Sequence, residues 1–284
     1  MEIVATLFSR LGVTTLFDDN IKESKSCFKR GVHKWISQNY PGAARDLSKA
    51  IELNPKYAEA YCYRGIVTYF LQDNTGSIQD LSKAVELKPK YAKAYYWRGL
   101  TKIKLQDYPG AIQDLSKAIK LNPKYAEAYC NRGVVKCFLK DHAGSIQDLS
   151  KALKLNPKYA WAYCNRGIVK YFLRDYIEAI QDLSKAIEHK PKYAEAYCNR
   201  GIVNYFLRDY TGAIRDLTKA IELNPKYAWA YYGRGQAKYD LQDYTGAVQD
   251  YSKAIEHKPN TKYPLAYYGQ GHTKEIVNDK EGVL

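Results

Sequence analysis

The chain has 284 residues, 46% of them apolar, and carries 44 Lys and Arg against 30 Asp and Glu, for a formal charge of +14. That apolar content is ordinary for a folded protein, and no stretch approaches the ~20 apolar residues that a membrane helix needs. The six cysteines (Cys27, Cys62, Cys130, Cys137, Cys164, Cys198) contain no C-x-x-C pair, which argues against a zinc ribbon.

Residues 1–22 place Ile3, Val4, Leu7, Phe8 and Leu11 at helical spacing. The expectation is a cap on the fold that begins near Ser24; the alternatives are a docking helix for another subunit or a segment lying in a groove. Glu2 and the lack of a basic start argue against a secretory signal. Arg10, the only basic residue before Lys22, makes a weak case for an organellar presequence.

From Ser24 to Asn260 the sequence repeats every 34 residues without a slip. YAEAYCNRG at residues 193–201 returns as YAWAYCNRG at 159–167 and YAEAYCNRG at 125–133. A fixed period of this length marks a solenoid, in which each repeat buries its faces against its neighbours. In the repeat that starts at Ala160, Ala162, Tyr163, Ile168, Tyr171 and Phe172 follow the three- and four-residue steps of a helix. Asp175 and Tyr176 interrupt it. A second stripe runs through Ala179, Ile180, Leu183, Ala186 and Ile187, and Pro191 ends it. Each repeat is therefore helix, turn, helix, turn.

Counting positions from Ser24, Ala58, Ala92, Ala126, Ala160, Ala194 and Ala228, position eight is always glycine, position twenty alanine or serine, position twenty-seven alanine and position thirty-two proline. A glycine inside a helix costs about 1 kcal/mol against alanine, so its persistence predicts a close crossing of the second helix. This pattern, Tyr163, Gly167, Ala179, Leu183, Ala186 and Pro191 in one repeat, resembles the tetratricopeptide repeat family. The resemblance implies an all-α, right-handed α-solenoid of seven helix–turn–helix repeats, with the first helix of each pair on the concave face. Residues 23–260 are the repeats, and residues 261–284 form a C-terminal capping helix and tail in which Gln270 stands at the arginine position and His272 and Glu275 replace apolar or aromatic residues.

The excess positive charge traces to two columns: lysine at position twenty-six in all seven repeats and at position thirty-three in six. Such residues complement the helix dipole near the end of the second helix. A ridge through Lys83, Lys117, Lys151, Lys185 and Lys219 is also a candidate surface for nucleic acid or an acidic partner. Arginine at position seven, where the family usually has leucine, is matched by aspartate at position twenty-three, and this predicts a structural ion pair in each repeat.

Variable columns on the first helix are the candidates for recognition. Asn131, Asn165 and Asn199 share position six, each offering an amide donor and acceptor. They resemble the asparagine ladder in the family's superhelical O-linked N-acetylglucosamine transferase, which implies a hold on the backbone of an extended peptide. Trp161 and Trp229 at position two, Trp97 and Tyr63 at position six and Tyr96 at position five are candidate apolar anchors. Positions two, five, nine and twelve share one helical face by their spacing. The lysine and asparagine pattern of chaperone-tail clamps is absent, since position five holds Cys, Tyr or Phe. Repeat-equivalent cysteines lie beyond the ~7 Å disulfide reach and serve as apolar filler; free thiols point to a cytoplasmic or other reducing compartment. With no nucleophile–base pair, phosphate loop or metal spacing, the expectation is a protein-interaction scaffold, not an enzyme, without cofactor or metal and with no membrane insertion. The partner and the oligomeric state are not legible.

Overall fold

The computed structural model describes the backbone of residues 13–257 and 264–281. All regular elements among the described residues are helices, and the chain divides into two compact halves, Met1–Leu139 and Lys140–Leu284. The first half holds α1 (Val13–Ile36), α2 (Tyr40–Leu53), α3 (Ala58–Phe70), α4 (Asn74–Leu87), α5 (Ala92–Lys104), α6 (Tyr108–Leu121) and α7 (Ala126–Phe138). The second holds α8 (His142–Leu155), α9 (Ala160–Phe172), α10 (Tyr176–His189), α11 (Ala194–Phe206), α12 (Tyr210–Leu223), α13 (Ala228–Asp240), α14 (Tyr244–His257) and α15 (Pro264–Glu281). Each half is the expected solenoid of helix pairs. The segment expected as a cap lies largely outside the described residues, as do Thr261 and Lys262. Within them, α1 runs unbroken from Val13 past the boundary drawn at residue 22.

The turn between paired helices is built the same way each time. The residue before the aspartate or asparagine takes the left-handed conformation: Gln38, Gln72, Gln106, Lys140, Arg174, Arg208 and Gln242 all have φ of 60–64°. That reverses the chain. The next side chain then caps the second helix, as where Asp141 Oδ1 accepts from the Gly144 amide at 2.9 Å. In the fifth repeat Glu178 replaces the glycine and the same bond lengthens to 3.4 Å. A Cβ at Gly144 would lie 2.2 Å from Asp141 Oδ2, so the glycine clears space for the cap.

Packing follows the invariant columns. Leu47, Leu81, Leu115, Leu149, Leu183 and Leu217 are fully buried, and so are the position-twenty-seven alanines. The close crossing expected at position eight is present: a Cβ on Gly167 would sit 2.8 Å from Leu183 Cγ and 3.1 Å from the Ala179 carbonyl. Within each half, first helices of successive repeats touch one another (α1 with α3, α3 with α5, α9 with α11, α11 with α13), whereas second helices among the described residues do not. The first helices thus form the inner wall of each half.

The arginine and aspartate columns form the expected pairs within one repeat. Arg166 Nε and Nη2 donate to Asp182 Oδ2 and Oδ1 at 2.8 and 2.7 Å. Its remaining Nη1 donates to Ser150 Oγ of the preceding repeat at 3.0 Å. Arg64, Arg98, Arg200 and Arg234 repeat this fork with Asp80, Asp114, Asp216 and Asp250, reaching back to Ser48, Ser82, Ser184 and Thr218. Arg30 has no preceding repeat to reach. Its Nε stands 3.7 Å from Asp46, and the guanidinium turns to Ser26 and Cys27 on its own helix. At the other end Gln270 donates to Ser252 Oγ at 2.7 Å, which keeps the backward reach without an aspartate partner. The face of α15 is less polar than its sequence suggests, because Leu265, Tyr267 and Tyr268 are exposed.

Two outcomes are expected from this packing. Gly167→Ala is expected to lose roughly 1–2 kcal/mol by urea unfolding despite its better helix propensity, since overpacking a tight contact outweighs it. Asp182→Asn is expected to lose about 3 kcal/mol, the low end for a buried pair because the Arg166 side chain is 20% exposed; unchanged thermal stability would show the pair to be dispensable.

Candidate functional site

In the second half the inner wall encloses a cleft of about 570 Å³. Ile168, Tyr171 and Phe172 enter it from α9, Asn199, Ile202 and Phe206 from α11, and Trp229, Tyr232 and Gln236 from α13, with Leu265 of α15 added. No charged side chain lines it. The steps from residue 199 to 202 to 206 are three and four, so one stripe of each first helix faces the cleft. Its volume is typical of ligand clefts, and so is its mix of apolar walls with a few polar groups.

The aromatic wall is held in place from behind. Phe206 stacks on Tyr176 with ring centroids 6.0 Å apart, and Phe172 stacks on His142 at 6.1 Å. In each case the ring comes from one repeat and its support from the second helix of the repeat before. Phe206 and Trp229 still leave about half of their surface in solvent, at 49% and 47%. Trp229 meets Tyr232 edge to face at 6.0 Å. Rigid aromatics held half exposed suit the anchoring of an apolar side chain.

The asparagines are partly engaged by the fold. Asn199 Nδ2 donates to the Glu195 carbonyl at 2.8 Å and approaches Cys164 Sγ of the preceding repeat at 3.8 Å. Asn165 Nδ2 donates to the Trp161 carbonyl at 2.7 Å. In the first half Asn131 Nδ2 donates to the Glu127 carbonyl at 2.9 Å and to the Tyr96 hydroxyl at 3.2 Å. The amide nitrogens are therefore tied to their own helices, and each side-chain oxygen keeps its capacity to accept.

The sequence candidates fall in different surroundings. The cleft takes Asn199 and Trp229. Asn165 and Trp161 lie on α9 outside its lining; Trp161 is half-buried near Tyr159 and packs against the core around Cys164 and Tyr193. In the first half Trp97 is packed among Tyr69, Phe70 and Tyr96, and Tyr96 also meets Tyr125 at 4.7 Å. Tyr63 lies against Phe28 and Trp35, with its hydroxyl accepting from Lys93 Nζ at 2.9 Å. Of the face expected at positions two, five, nine and twelve, the cleft takes Trp229, Tyr232, Ile168, Ile202, Gln236 and Tyr171, and adds positions six and thirteen. Cys62, Cys130, Cys164 and Cys198 at position five are buried. Phe172 and Phe206 are cleft residues that the choice of variable columns misses. Their signal is an aromatic column seven residues after the asparagines, on the same helical stripe.

Burial pushes the Cys62 and Cys198 thiols up to about 12 and Cys164 to about 11, so these groups are protonated filler at neutral pH. Among the described residues no group of three His, Cys, Asp or Glu could hold a metal ion, and no helix is long and apolar enough to cross a membrane. The lysine ridge is not uniform. Lys83, Lys185 and Lys219 pair with Glu86, Glu188 and Glu222 one turn on, at 2.7, 2.7 and 2.8 Å. Lys117 and Lys151 have Lys120 and Lys154 at that place.

Comparison with known proteins agrees with this architecture. Models described as TPR repeat match residues 36–72, 69–106, 99–136, 139–172 and 209–242, and one described as Tetratricopeptide repeat matches 160–193 and 228–261. No curated protein matches the sequence significantly. The crystal structure of MamA is 28% identical with a TM-score of 0.52, covering 57% of this chain and 95% of its own. YrrB, described as a TPR protein with an unusual peptide-binding site, is 24% identical with a TM-score of 0.53, covering 66% and 96%. A tetratricopeptide repeat protein from Parabacteroides merdae is 18% identical with a TM-score of 0.69, covering 89% and 99%. With these models matching most of its length, the chain belongs to the tetratricopeptide repeat family.

Proposed function

We propose that this chain, a protein-interaction scaffold, holds an extended segment of a partner protein along the inner wall of its second half. The observation that carries the reading is the uncharged cleft between α9, α11 and α13, where half-exposed Phe206 and Trp229 flank the Asn199 amide. An apolar side chain of the partner enters between the rings, and the Asn199 oxygen accepts from a backbone amide of the partner. Asn165, one repeat earlier, and Asn131 in the first half offer the same acceptor. Asn165 comes from the same column as Asn199, so an extended chain meets the same group again as it passes from repeat to repeat. Tyr96, whose hydroxyl accepts from Asn131, and Trp161, on the helix of Asn165, act behind these groups; Trp97 and Tyr63 pack on helices α5 and α3, which carry none of them. The peptide-binding site in the description of YrrB supports a peptide as the ligand. The reading is one of binding, not of catalysis.

The direct check is to select peptides on the wild-type chain from a displayed library and to measure the best binder against variants. Trp229→Ala is expected to weaken it about thirtyfold, as removal of a hot-spot aromatic does. Asn199→Ala is expected to weaken it several-fold, in line with about 1 kcal/mol for a neutral hydrogen bond. Equal affinity for wild type and Trp229→Ala would remove the cleft as the site.

A further inference from the structure

The outer face carries its own pattern of charge. In five repeats the position-twenty-six lysine is neutralised by a glutamate three residues on: Lys49 with Glu52, Lys83 with Glu86, Lys185 with Glu188, Lys219 with Glu222 and Lys253 with Glu256, at 2.7–3.3 Å. The third and fourth repeats break the rule. Lys120 follows Lys117 on α6, and Lys154 follows Lys151 on α8. Lys124 and Lys158, in the loops beyond, extend each pair to a triplet. All six are exposed, and among the described residues none has a carboxylate within 4 Å.

Nothing in the fold asks for this change. Like charges one turn apart destabilise a helix, whereas the lysine–glutamate pair stabilises it. The helix dipole favours a cation near the end of α6, but the same place carries glutamate in the other five repeats, so the dipole does not decide the residue. The surroundings strengthen the positive charge. Residues 92–125 contain seven Lys and Arg against two acidic residues, Asp107 and Asp114. Asp107 caps α6 through the Gly110 amide, and Asp114 is held between Arg98 and Lys102 at 2.7 and 2.8 Å. Lys117 and Lys120 border an open depression of about 500 Å³, lined also by Tyr95, Gln113, Ser116 and the paired Arg98 and Asp114.

We propose that this lysine face of α6 is a second interaction surface, one that takes an acidic polypeptide segment, and that α8 carries a second copy of it. Nucleic acid fits less well. Single-strand binding sites combine charge with rings on which bases stack, and the ring nearest the α6 lysines, Tyr95, is covered by the Arg98 guanidinium at 5.5 Å and by Lys117 at 6.0 Å. Carboxylates need only the ammonium groups. This surface is built on second helices and is independent of the inner-wall cleft.

The repeats themselves supply the test variant. Lys120→Glu with Lys154→Glu installs at both places the pair that the other five repeats already carry, so the fold is retained. Binding of a fluorescent decaglutamate peptide is measured by anisotropy across a salt series, beside an oligodeoxythymidylate of equal length. The expected result is salt-sensitive binding of decaglutamate by wild type, weakened about tenfold or more in the double variant, whose melting temperature is unchanged or higher. Trp229→Ala binds decaglutamate as wild type does, which separates this surface from the cleft. No decaglutamate binding at low salt, equal binding by the double variant, or tighter binding of the oligonucleotide would each overturn the proposal.

Discussion

Arg166, like Arg64, Arg98, Arg200 and Arg234, holds three helices at once. Two of its nitrogens grip the aspartate of its own second helix, and the third reaches the hydroxyl on the second helix of the repeat before. A leucine, which the family more often has at this place, would bury area but would fix no angle. The planar guanidinium fixes both the pairing within a repeat and the offset to the previous one. That offset brings first helices into contact and leaves second helices apart, and so decides which side of each half becomes a recessed wall and which an open ridge. Removal of the aspartate leaves a buried cation facing a neutral amide, which is why the column tolerates no exception inside the array.

Much of this was legible from the chain alone, because a repeated sequence reports on its own constraints. Glycine at position eight, alanine at twenty-seven and the arginine–aspartate columns each persist through seven copies, and each has one mechanical reason in the structure. The phase of the exposed face was harder. Positions five and six differ by about 100° around a helix, and composition places cysteine equally well on either side of a boundary. Cys164 and Cys198 are buried, yet the cleft draws on positions two, five, six, nine, twelve and thirteen, so a residue's place in the repeat does not by itself give its exposure. The asparagine column was visible, but not that its nitrogens would be spent on carbonyls of their own helices.

The charge illustrates a different limit. A net excess of +14 suggests one continuous basic ridge. The structure divides that ridge into neutralised and bare stretches, and the division depends on a residue three places away from the lysine that draws attention. Two columns read together, positions twenty-six and twenty-nine, carry information that neither carries alone. The cleft of the second half, by contrast, is lined by no charged side chain.

Gln270 and Gly269 make different demands on the repeat before α15. Gln270 asks of its neighbour only a hydroxyl at the place of Ser252, and every repeat presents serine or threonine there. The packing of α15 is nevertheless particular to the seventh repeat, because a Cβ on Gly269 would lie 3.0 Å from the Tyr251 ring, where the other six repeats carry leucine. Seated on any other repeat, α15 would keep the hydroxyl that Gln270 uses and lose the ring against Gly269.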